Sequence, residues 1–132
     1  MLEELLDMDV PTAAPDTPVA DVAAAMRETD ADAVVVLDED RPLGVVTPAT
    51  LGRAVVAGED LSTDVVADLL DGDPVTIRRV ATRADLVAVF AREDAREAIV
   101  LDDADQYLGV VSFEDVLAAY GREFDALLDL VA

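Results

Sequence analysis

The chain has 132 residues, of which 53% are hydrophobic, and a formal net charge of −21 from 30 acidic and nine basic residues. It contains no cysteine and no histidine, and every basic residue is an arginine. Disulfides, thiolate or imidazole metal sites, a cysteine nucleophile and a Schiff-base lysine are therefore excluded. Most enzymatic chemistries lack their usual side chains here, so we expect no enzyme, and nucleic acid is a poor partner for so negative a field.

The distribution of apolar residues indicates the cellular location of the protein. No apolar run reaches about 18 residues, and no basic start precedes an apolar stretch, so we expect neither a membrane span nor a secretory signal. The sequence therefore predicts a cytoplasmic protein. Its excess of Asp over Glu, its lack of Lys and its abundant Ala and Val resemble proteins of salt-accumulating halophilic archaea. We interpret the acidity as a solvated surface and not as a binding surface.

Two copies of one unit follow each other along the chain. Residues 2–9 align with residues 66–73 at an offset of 64, and Val36-Leu37-Asp38 align with Val100-Leu101-Asp102 at the same offset. The segments 44–50 and 109–115 align at an offset of 65, because the second acidic turn holds one more residue. A repeat of this kind predicts two similar folded units, which we assign to residues 1–60 and 61–132, each with a leading helix.

The predicted elements recur in the same order in both units. An amphipathic helix (about 1–7, then 63–71) precedes a short extended piece (11–13, then 75–77). The next helix begins near Asp16-Thr17-Pro18 in the first unit, where Thr17 is the candidate N-cap, and after the candidate N-cap Thr82 in the second. The β-branched runs 33–37 and 98–101 predict buried strands, and acidic turns lead into the partner strands 43–46 and 107–111. Helices follow at 48–56 and 113–120; Gly58 is expected to end the first of these, and Ser62 or Thr63 to cap the following helix.

Two heptads hold the candidate functional side chains. In Gly44–Thr50 and Gly109–Asp115, a glycine leads into two β-branched residues, a hydroxyl residue and, three positions on, a polar residue. This pattern predicts a strand that delivers the chain to the start of a helix, where backbone N–H groups are free. Asp115 can accept hydrogen bonds from two hydroxyls at once. The alternative is that Thr47 and Ser112 are ordinary N-caps and that Asp115 is a first-turn acid favoured by the helix dipole.

These residues together resemble the tandem CBS domain pair, or Bateman module. The resemblance is carried by Asp16-Thr17-Pro18-Val19, by the runs 34–38 and 98–102 and by the two heptads. It implies an α/β fold of the α+β type, in which two tandem βαββα units are related by a pseudo-twofold axis with their sheets packed together. It also implies clefts that hold adenosine-containing ligands, without catalysis and without a required cofactor.

The resemblance assigns ligand-binding positions residue by residue. One cleft would use Thr17, Ala31, Asp32, Arg96, Val110, Ser112 and Asp115. Asp115 would bridge the ribose hydroxyls, Ser112 would meet ribose or phosphate, and the backbone around Ala31 would pair with the adenine edge. Arg96 would reach phosphate, or else it forms an exposed ion pair with Asp94 or Glu93. A second, doubtful cleft would use Val45, Thr47, Thr50, Thr82 and Ala95, and there Thr50 stands where the family has the ribose-binding Asp.

The charges near the first cleft narrow the class of ligand. Asp32 and Glu97 would raise the cost of binding a polyanion, which favours AMP or S-adenosylmethionine over ATP as the effector. The sequence therefore predicts a regulatory module that senses an adenosyl ligand. The alternative function is a ligand-free dimerisation or scaffold module.

Exposed helix faces predict self-association. The helices after the heptads carry the apolar residues Leu51, Ala54, Val55, Val116, Leu117 and Tyr120, and we expect them to form a symmetric homodimer. Beyond Tyr120, the residues Phe124, Leu127, Leu128 and Val131 recur at helical spacing. This tail is expected to be a second short helix or a continuation bent near Gly121. Its apolar stripe would cover either Leu2, Leu5 and Leu6 of the first helix or a partner chain.

Overall fold

The computed structural model describes residues 2–131, which form two compact units. We call residues 9–74 the first-repeat unit, and residues 2–8 with 75–131 the second-repeat unit. The first contains β1 (Thr12–Ala13), α1 (Val19–Thr29), β2 (Val34–Asp38), β3 (Arg41–Val46) and α2 (Pro48–Val56). The second contains β4 (Thr76–Arg78), α3 (Arg83–Glu93), β5 (Glu97–Leu101), β6 (Tyr107–Ser112) and α4 (Phe113–Asp129). The predicted βαββα order is confirmed in both units.

Each unit is built on a three-stranded sheet with the same topology. The first strand pairs in parallel with the second, and the second pairs antiparallel with the third, in the orders β1-β2-β3 and β4-β5-β6. The middle strands consist of β-branched and aliphatic residues, which fit a pleated surface. Val34, Val35 and Val36 of β2 and Ala98, Ile99 and Val100 of β5 are all buried. A register shift follows the third of these residues in each middle strand, between Val36 and Leu37 and between Val100 and Leu101.

The two leading segments differ from the predicted helices in conformation. Each holds only a single 3-10 turn, Glu3–Leu5 in the first repeat and Val66–Leu69 in the second. Backbone pairing interrupts both segments, since Asp7 bridges to Val110 and Val65 bridges to Pro18. A 3-10 turn places side chains on one side at a spacing close to that of an α-helix, so the apolar pattern alone does not separate the two.

The sequence repeat and the compact units divide the chain differently at the leading segments. Leu2 and Leu5 are buried in the core of the second-repeat unit, with Ile77, Leu86, Phe90, Val111 and Val116 among their neighbours. Val66 is buried in the core of the first-repeat unit. Each leading segment therefore joins the compact unit of the other repeat, because its apolar side chains are buried there. The bounds 1–60 and 61–132 follow the sequence repeat, whereas the compact units exchange these segments.

Two predictions about helix ends are corrected by the structure. Helix α1 begins after Pro18, and no side chain caps it, so Thr17 is not its N-cap. The 3-10 turn at Val66 begins after Val65 without a side-chain cap, so neither Ser62 nor Thr63 caps it. Instead, the carboxylate of Asp60 accepts hydrogen bonds from the backbone N–H and the hydroxyl of Ser62, at 3.0 and 2.6 Å.

The C-terminal tail continues the preceding helix. Helix α4 extends from Phe113 to Asp129 as one element, so no separate helix begins near Gly121. Its inward residues Val116 and Ala119 belong to the core of the second-repeat unit. The tail residues Phe124, Leu127, Leu128 and Val131 remain exposed. Of the two alternatives for this stripe, packing on the first leading segment does not occur, and a contact with a partner chain stays a prediction. No helix within residues 2–131 is both long enough and apolar enough to cross a membrane.

Candidate ligand-binding site

The corner between β6 and α4 in the second-repeat unit holds Ser112, Asp115 and Arg96. The hydroxyl of Ser112 caps the helix by accepting a hydrogen bond from the backbone N–H of Asp115 at 3.1 Å. The backbone N–H of Phe113 donates to the carbonyl of Arg96 at 2.7 Å, which ties the start of α4 to the start of β5. The predicted strand-to-helix corner is therefore present, and it brings these three predicted ligand residues into one region of the unit.

Arg96 has a different partner from those that the sequence suggested. Its guanidinium forms an ion pair with Glu114 and lies over the ring of Phe113, with 5.1 Å from Cζ to the ring centroid. Glu93 instead pairs with Arg92. The hydrogen bond from Arg96 lowers the pKa of Glu114 and raises the pKa of Arg96, because each charge stabilises the other. A phosphate at this corner would have to compete with Glu114 for the guanidinium.

The third residue of the helix differs in role between the two repeats. In α2, Thr50 closes a capping box: its hydroxyl accepts from the N–H of Thr47 at 3.1 Å, and its own N–H donates to the Thr47 hydroxyl at 3.3 Å. In α4, Asp115 donates its N–H to Ser112, but its carboxylate takes part in no hydrogen bond or ion pair among residues 2–131. The exposed carboxylate of Asp115 is therefore available to a ligand, whereas the hydroxyl of Thr50 is engaged by its own helix.

The corresponding hydroxyls before the first helix of each unit differ in the same way. Thr82 caps α3 and forms a capping box with Asp85, whose carboxylate accepts from the N–H of Thr82 at 3.0 Å. These hydrogen bonds lower the pKa of Asp85. The half-buried Thr17 uses its backbone to bond Ala14 and Val66, but its hydroxyl has no hydrogen-bond partner within the described chain. The hydroxyl of Thr17 is thus available for a further hydrogen bond, whereas the hydroxyl of Thr82 is already used to cap its helix.

The remaining predicted site residues follow the ends of helices or belong to strands, where their backbone groups form hydrogen bonds. Asp30 and Asp94 end α1 and α3 in the left-handed conformation, with φ of 53° and 51°. Ala31 and Ala95 follow them and donate N–H groups to Met26 and Phe90 at 3.0 and 3.1 Å. Asp32, the next residue after Ala31, is exposed. Val45 pairs with Val35, and Val110 pairs with Ile99.

Two residues at this corner were missed by the sequence analysis. Glu114 holds Arg96 although 18 positions separate them along the chain, and no local pattern marks such a pair. Asp7 exchanges two backbone hydrogen bonds with Val110, at 2.9 and 3.0 Å, and so occupies the polar groups of that residue. The apolar spacing of residues 2–6 gave no signal of this strand-like pairing.

A shallow pocket of about 260 Å³ lies elsewhere on the second-repeat unit. It is lined by Glu4, Leu5, Arg83, Ala119, Arg122, Glu123 and Ala126. None of these residues is a predicted ligand residue. Arg83 forms ion pairs there with Glu4 and Glu123, and the lining as a whole holds two arginines and two glutamates.

Comparison with known proteins identifies the family of the chain. An uncharacterized protein of Methanopyrus kandleri is 27% identical over 116 residues, which cover 86% of this chain and 59% of the relative. This chain therefore spans less than two thirds of that relative's length. A CBS domain protein from Pyrobaculum aerophilum, solved in complex with AMP, matches with a TM-score of 0.75 and 21% identity, over 85% of this chain and 86% of that one.

A second similar structure is the cytosolic domain of the Mg²⁺ channel MgtE in complex with ATP. It matches with a TM-score of 0.71 and 21% identity, over 87% of this chain and 46% of that one. At such identities, the two structural matches establish the fold alone. The family model of the CBS domain matches residues 2–57 and again residues 66–122. The chain therefore belongs to the CBS domain family and contains a tandem CBS pair.

Proposed function

We propose that the chain is a regulatory module that binds an adenosine-containing ligand at the corner formed by Ser112, Asp115 and Arg96. CBS pairs are generally regulatory modules without catalysis, and two proteins of similar fold were solved with AMP and ATP. The observation that carries the proposal is the carboxylate of Asp115, which is exposed and uncommitted at the start of α4. A carboxylate in this state can accept both ribose hydroxyls.

The charges around the corner favour a ligand with few negative charges. Arg96 is the one cationic side chain among the predicted site residues, and its charge is already neutralised by Glu114. Glu97 lies beside it on β5 and opposite Ser112 in the sheet. Each added phosphate group would be repelled by the excess of carboxylates over guanidinium groups at this corner. AMP and S-adenosylmethionine are therefore better candidates than ATP. The predicted roles of Thr17, Ala31 and Asp32 remain predictions.

The repeat supplies a matched pair of variants for the first test. Asp115→Ala should weaken binding of AMP or S-adenosylmethionine by roughly 1.5–3 kcal/mol, the range for hydrogen bonds to a charged group. Thr50→Ala, at the equivalent position of α2, should change the affinity little. Isothermal titration calorimetry in molar KCl measures both, with wild-type protein titrated with AMP, ATP and S-adenosylmethionine as the reference.

A dideoxy ligand tests the assigned role of Asp115 directly. If its carboxylate accepts the ribose hydroxyls, 2′,3′-dideoxy-AMP should bind wild-type protein and Asp115→Ala with nearly equal affinity, because the partner groups are missing in both cases. Equal losses for Asp115→Ala and Thr50→Ala would contradict a single site at the α4 corner. Failure of every adenosine compound to bind wild-type protein at millimolar concentration would refute the proposed function.

A further inference from the structure

The pocket on the second-repeat unit lies where three elements meet. Glu4 and Leu5 come from the first leading segment, Arg83 from the first turn of α3, and the remaining lining residues from α4. The α4 residues are 119, 122, 123 and 126, a spacing that places them on one face of the helix. None of the lining residues belongs to the corner of Ser112 and Asp115, so this pocket is separate from the proposed adenosine site.

The two arginines of the lining have hydrogen-bond donors without acceptors. The side chain of Arg122 takes part in no hydrogen bond or ion pair with any residue of the described range 2–131. Arg83 contacts Glu4 and Glu123 through the single nitrogen Nη2, and its Nη1 is buried without a partner in the same range. A buried donor without an acceptor is costly. An added carboxylate would supply acceptors, and its geometry matches that of a guanidinium group.

The two glutamates of the lining are held unequally by Arg83. Glu123 forms a close ion pair with it, whereas the carboxylate oxygen of Glu4 lies 3.5 Å from Nη2. The side chain of Glu4 is 68% exposed, and so long an ion pair at an exposed position contributes little to stability. The carboxylate of Glu4 can therefore bind a second cation at little cost.

The size and the apolar walls of the pocket limit its ligand. The volume of about 260 Å³ is below the range of about 300–1,000 Å³ that is typical of sites for drug-sized molecules. This volume favours a molecule smaller than a nucleotide. Leu5, Ala119 and Ala126 line the pocket with side chains that have no polar groups. The part of the ligand between its charged groups should therefore be short and apolar.

The charges of the lining distinguish a zwitterion from a simple ion. A simple anion would pair with Arg122 but would be repelled by Glu4 and by a chain of net charge −21. A simple cation would pair with Glu4 but would leave the donors of both arginines unmet. We propose that the pocket binds a small zwitterion of the α-amino-acid type. Its carboxylate is held by Arg122 and Arg83, and its ammonium group is held by Glu4.

Three matched probes test the need for both charges on wild-type protein. L-Valine has both charged groups, 3-methylbutanoate lacks the ammonium group, and isobutylamine lacks the carboxylate. Each is titrated into ¹⁵N-labelled protein in one KCl buffer, and the amide chemical shifts of Leu5, Ala119 and Arg122 are followed. L-Valine should give saturable shifts. The two analogues should bind about tenfold more weakly or less, because each lacks one charged hydrogen-bonding group.

Substitutions of the two charged contacts should affect the probes differently. Arg122→Gln should weaken the binding of both L-valine and 3-methylbutanoate about tenfold, because it removes the partner of the carboxylate. Glu4→Gln should weaken the binding of L-valine alone, because 3-methylbutanoate has no ammonium group. The matched control is Arg53→Gln, which removes the same charge from an exposed arginine of α2. It should leave the affinity for L-valine nearly unchanged.

Each of three results would overturn the proposal. Equal affinities for L-valine and 3-methylbutanoate would mean that the pocket does not recognise an ammonium group. Equal effects of Arg122→Gln and Arg53→Gln would assign the binding to net charge. The third result is the absence of saturable shifts at the pocket residues when wild-type protein is titrated with glycine, L-alanine or L-valine to tens of millimolar. The probes contain no adenosine, so these results do not depend on the function proposed for Asp115.

Discussion

At the scale of single residues, the candidate site depends on which polar groups are already engaged. Both Asp85 and Asp115 are aspartates at the third position of a helix. The carboxylate of Asp85 accepts a hydrogen bond from the N–H of Thr82, whereas the carboxylate of Asp115 accepts none from the N–H of Ser112. Ser112 still belongs to β6 and is paired with Glu97, while Thr82 lies outside the strands. The sequence identifies Asp115, and the structure adds that the helix of Asp115 begins directly after a strand whereas the helix of Asp85 does not.

Glu114 is expected to limit the affinity of this corner for phosphate. Its carboxylate holds the guanidinium of Arg96, so Glu114→Gln should release Arg96 and strengthen AMP binding severalfold, by the scale of one charged hydrogen bond offset by solvent screening. Adenosine lacks the phosphate, so its affinity should change little. Calorimetric titration of both ligands against the variant measures the difference.

A charge-matched variant controls for the loss of one negative charge. Asp125→Asn removes a carboxylate from the same helix without changing the partner of Arg96. It should strengthen AMP binding less than Glu114→Gln does. If the two variants changed the AMP affinity equally, the effect would come from net charge, and the specific competition between Glu114 and phosphate would be ruled out.

At the scale of elements, the two heptad glycines have different surroundings. A Cβ added at Gly109 would lie 2.5 Å from the carbonyl oxygen of Asp7 and 2.9 Å from Cδ1 of Leu6. A Cβ added at Gly44 would lie 2.8 Å from Cδ2 of Leu70, at the far end of a flexible side chain. The backbone of Asp7 is held by its pairing with Val110, so it cannot move aside without breaking those hydrogen bonds.

Alanine at these glycines should therefore have unequal effects. Gly109→Ala should lower the free energy of unfolding by about 1–3 kcal/mol, the range for overpacking a core. Gly44→Ala should lower it less, because Leu70 can change its rotamer. Chemical denaturation of both variants in molar KCl gives the comparison. Equal losses, or a larger loss at Gly44, would contradict the close approach of Asp7 to β6.

The elements themselves differ in how far the sequence predicts them. The bounds of α2 match the predicted residues 48–56, because Thr47 and Pro48 mark its start and Gly58, with φ of 84°, follows its end. The bounds of strands β2 and β5 match the predicted bounds within one residue, because their continuous β-branched runs strongly favour a strand. The leading segments were mistaken for helices because their conformation is set by pairing with Val110 and Pro18. Such pairing joins residues far apart in the sequence and leaves no local pattern.

At the scale of the whole molecule, the acidic residues fall into two groups. Asp60, Asp85 and Glu114 accept hydrogen bonds, from Ser62, Thr82 and Arg96 respectively, which hold their pKa values below the usual range. These three groups stabilise the folded state above the pKa of the unfolded chain, and that stabilisation is lost as the pH falls through their lowered pKa values. Repulsion among the other carboxylates would instead be relieved by acid. Acidification therefore has opposite effects on the stability of the fold through the two groups of carboxylates. Varying the salt concentration at constant pH tests the repulsion alone.

The folded state should depend strongly on salt concentration. Thirty carboxylates face nine guanidinium groups, and a like-charge pair costs roughly 0.2–0.5 kcal/mol where screening is weak. Summed over the surface, the free energy of this repulsion approaches the typical free energy of unfolding of about 5–15 kcal/mol. Molar KCl shortens the Debye length to about 3 Å, so we expect the melting temperature at pH 7, without ligand, to rise steadily from millimolar to molar KCl. Equal melting temperatures in low and molar salt would contradict a surface adapted to a salt-rich interior, and the carboxylates would then require cationic partners.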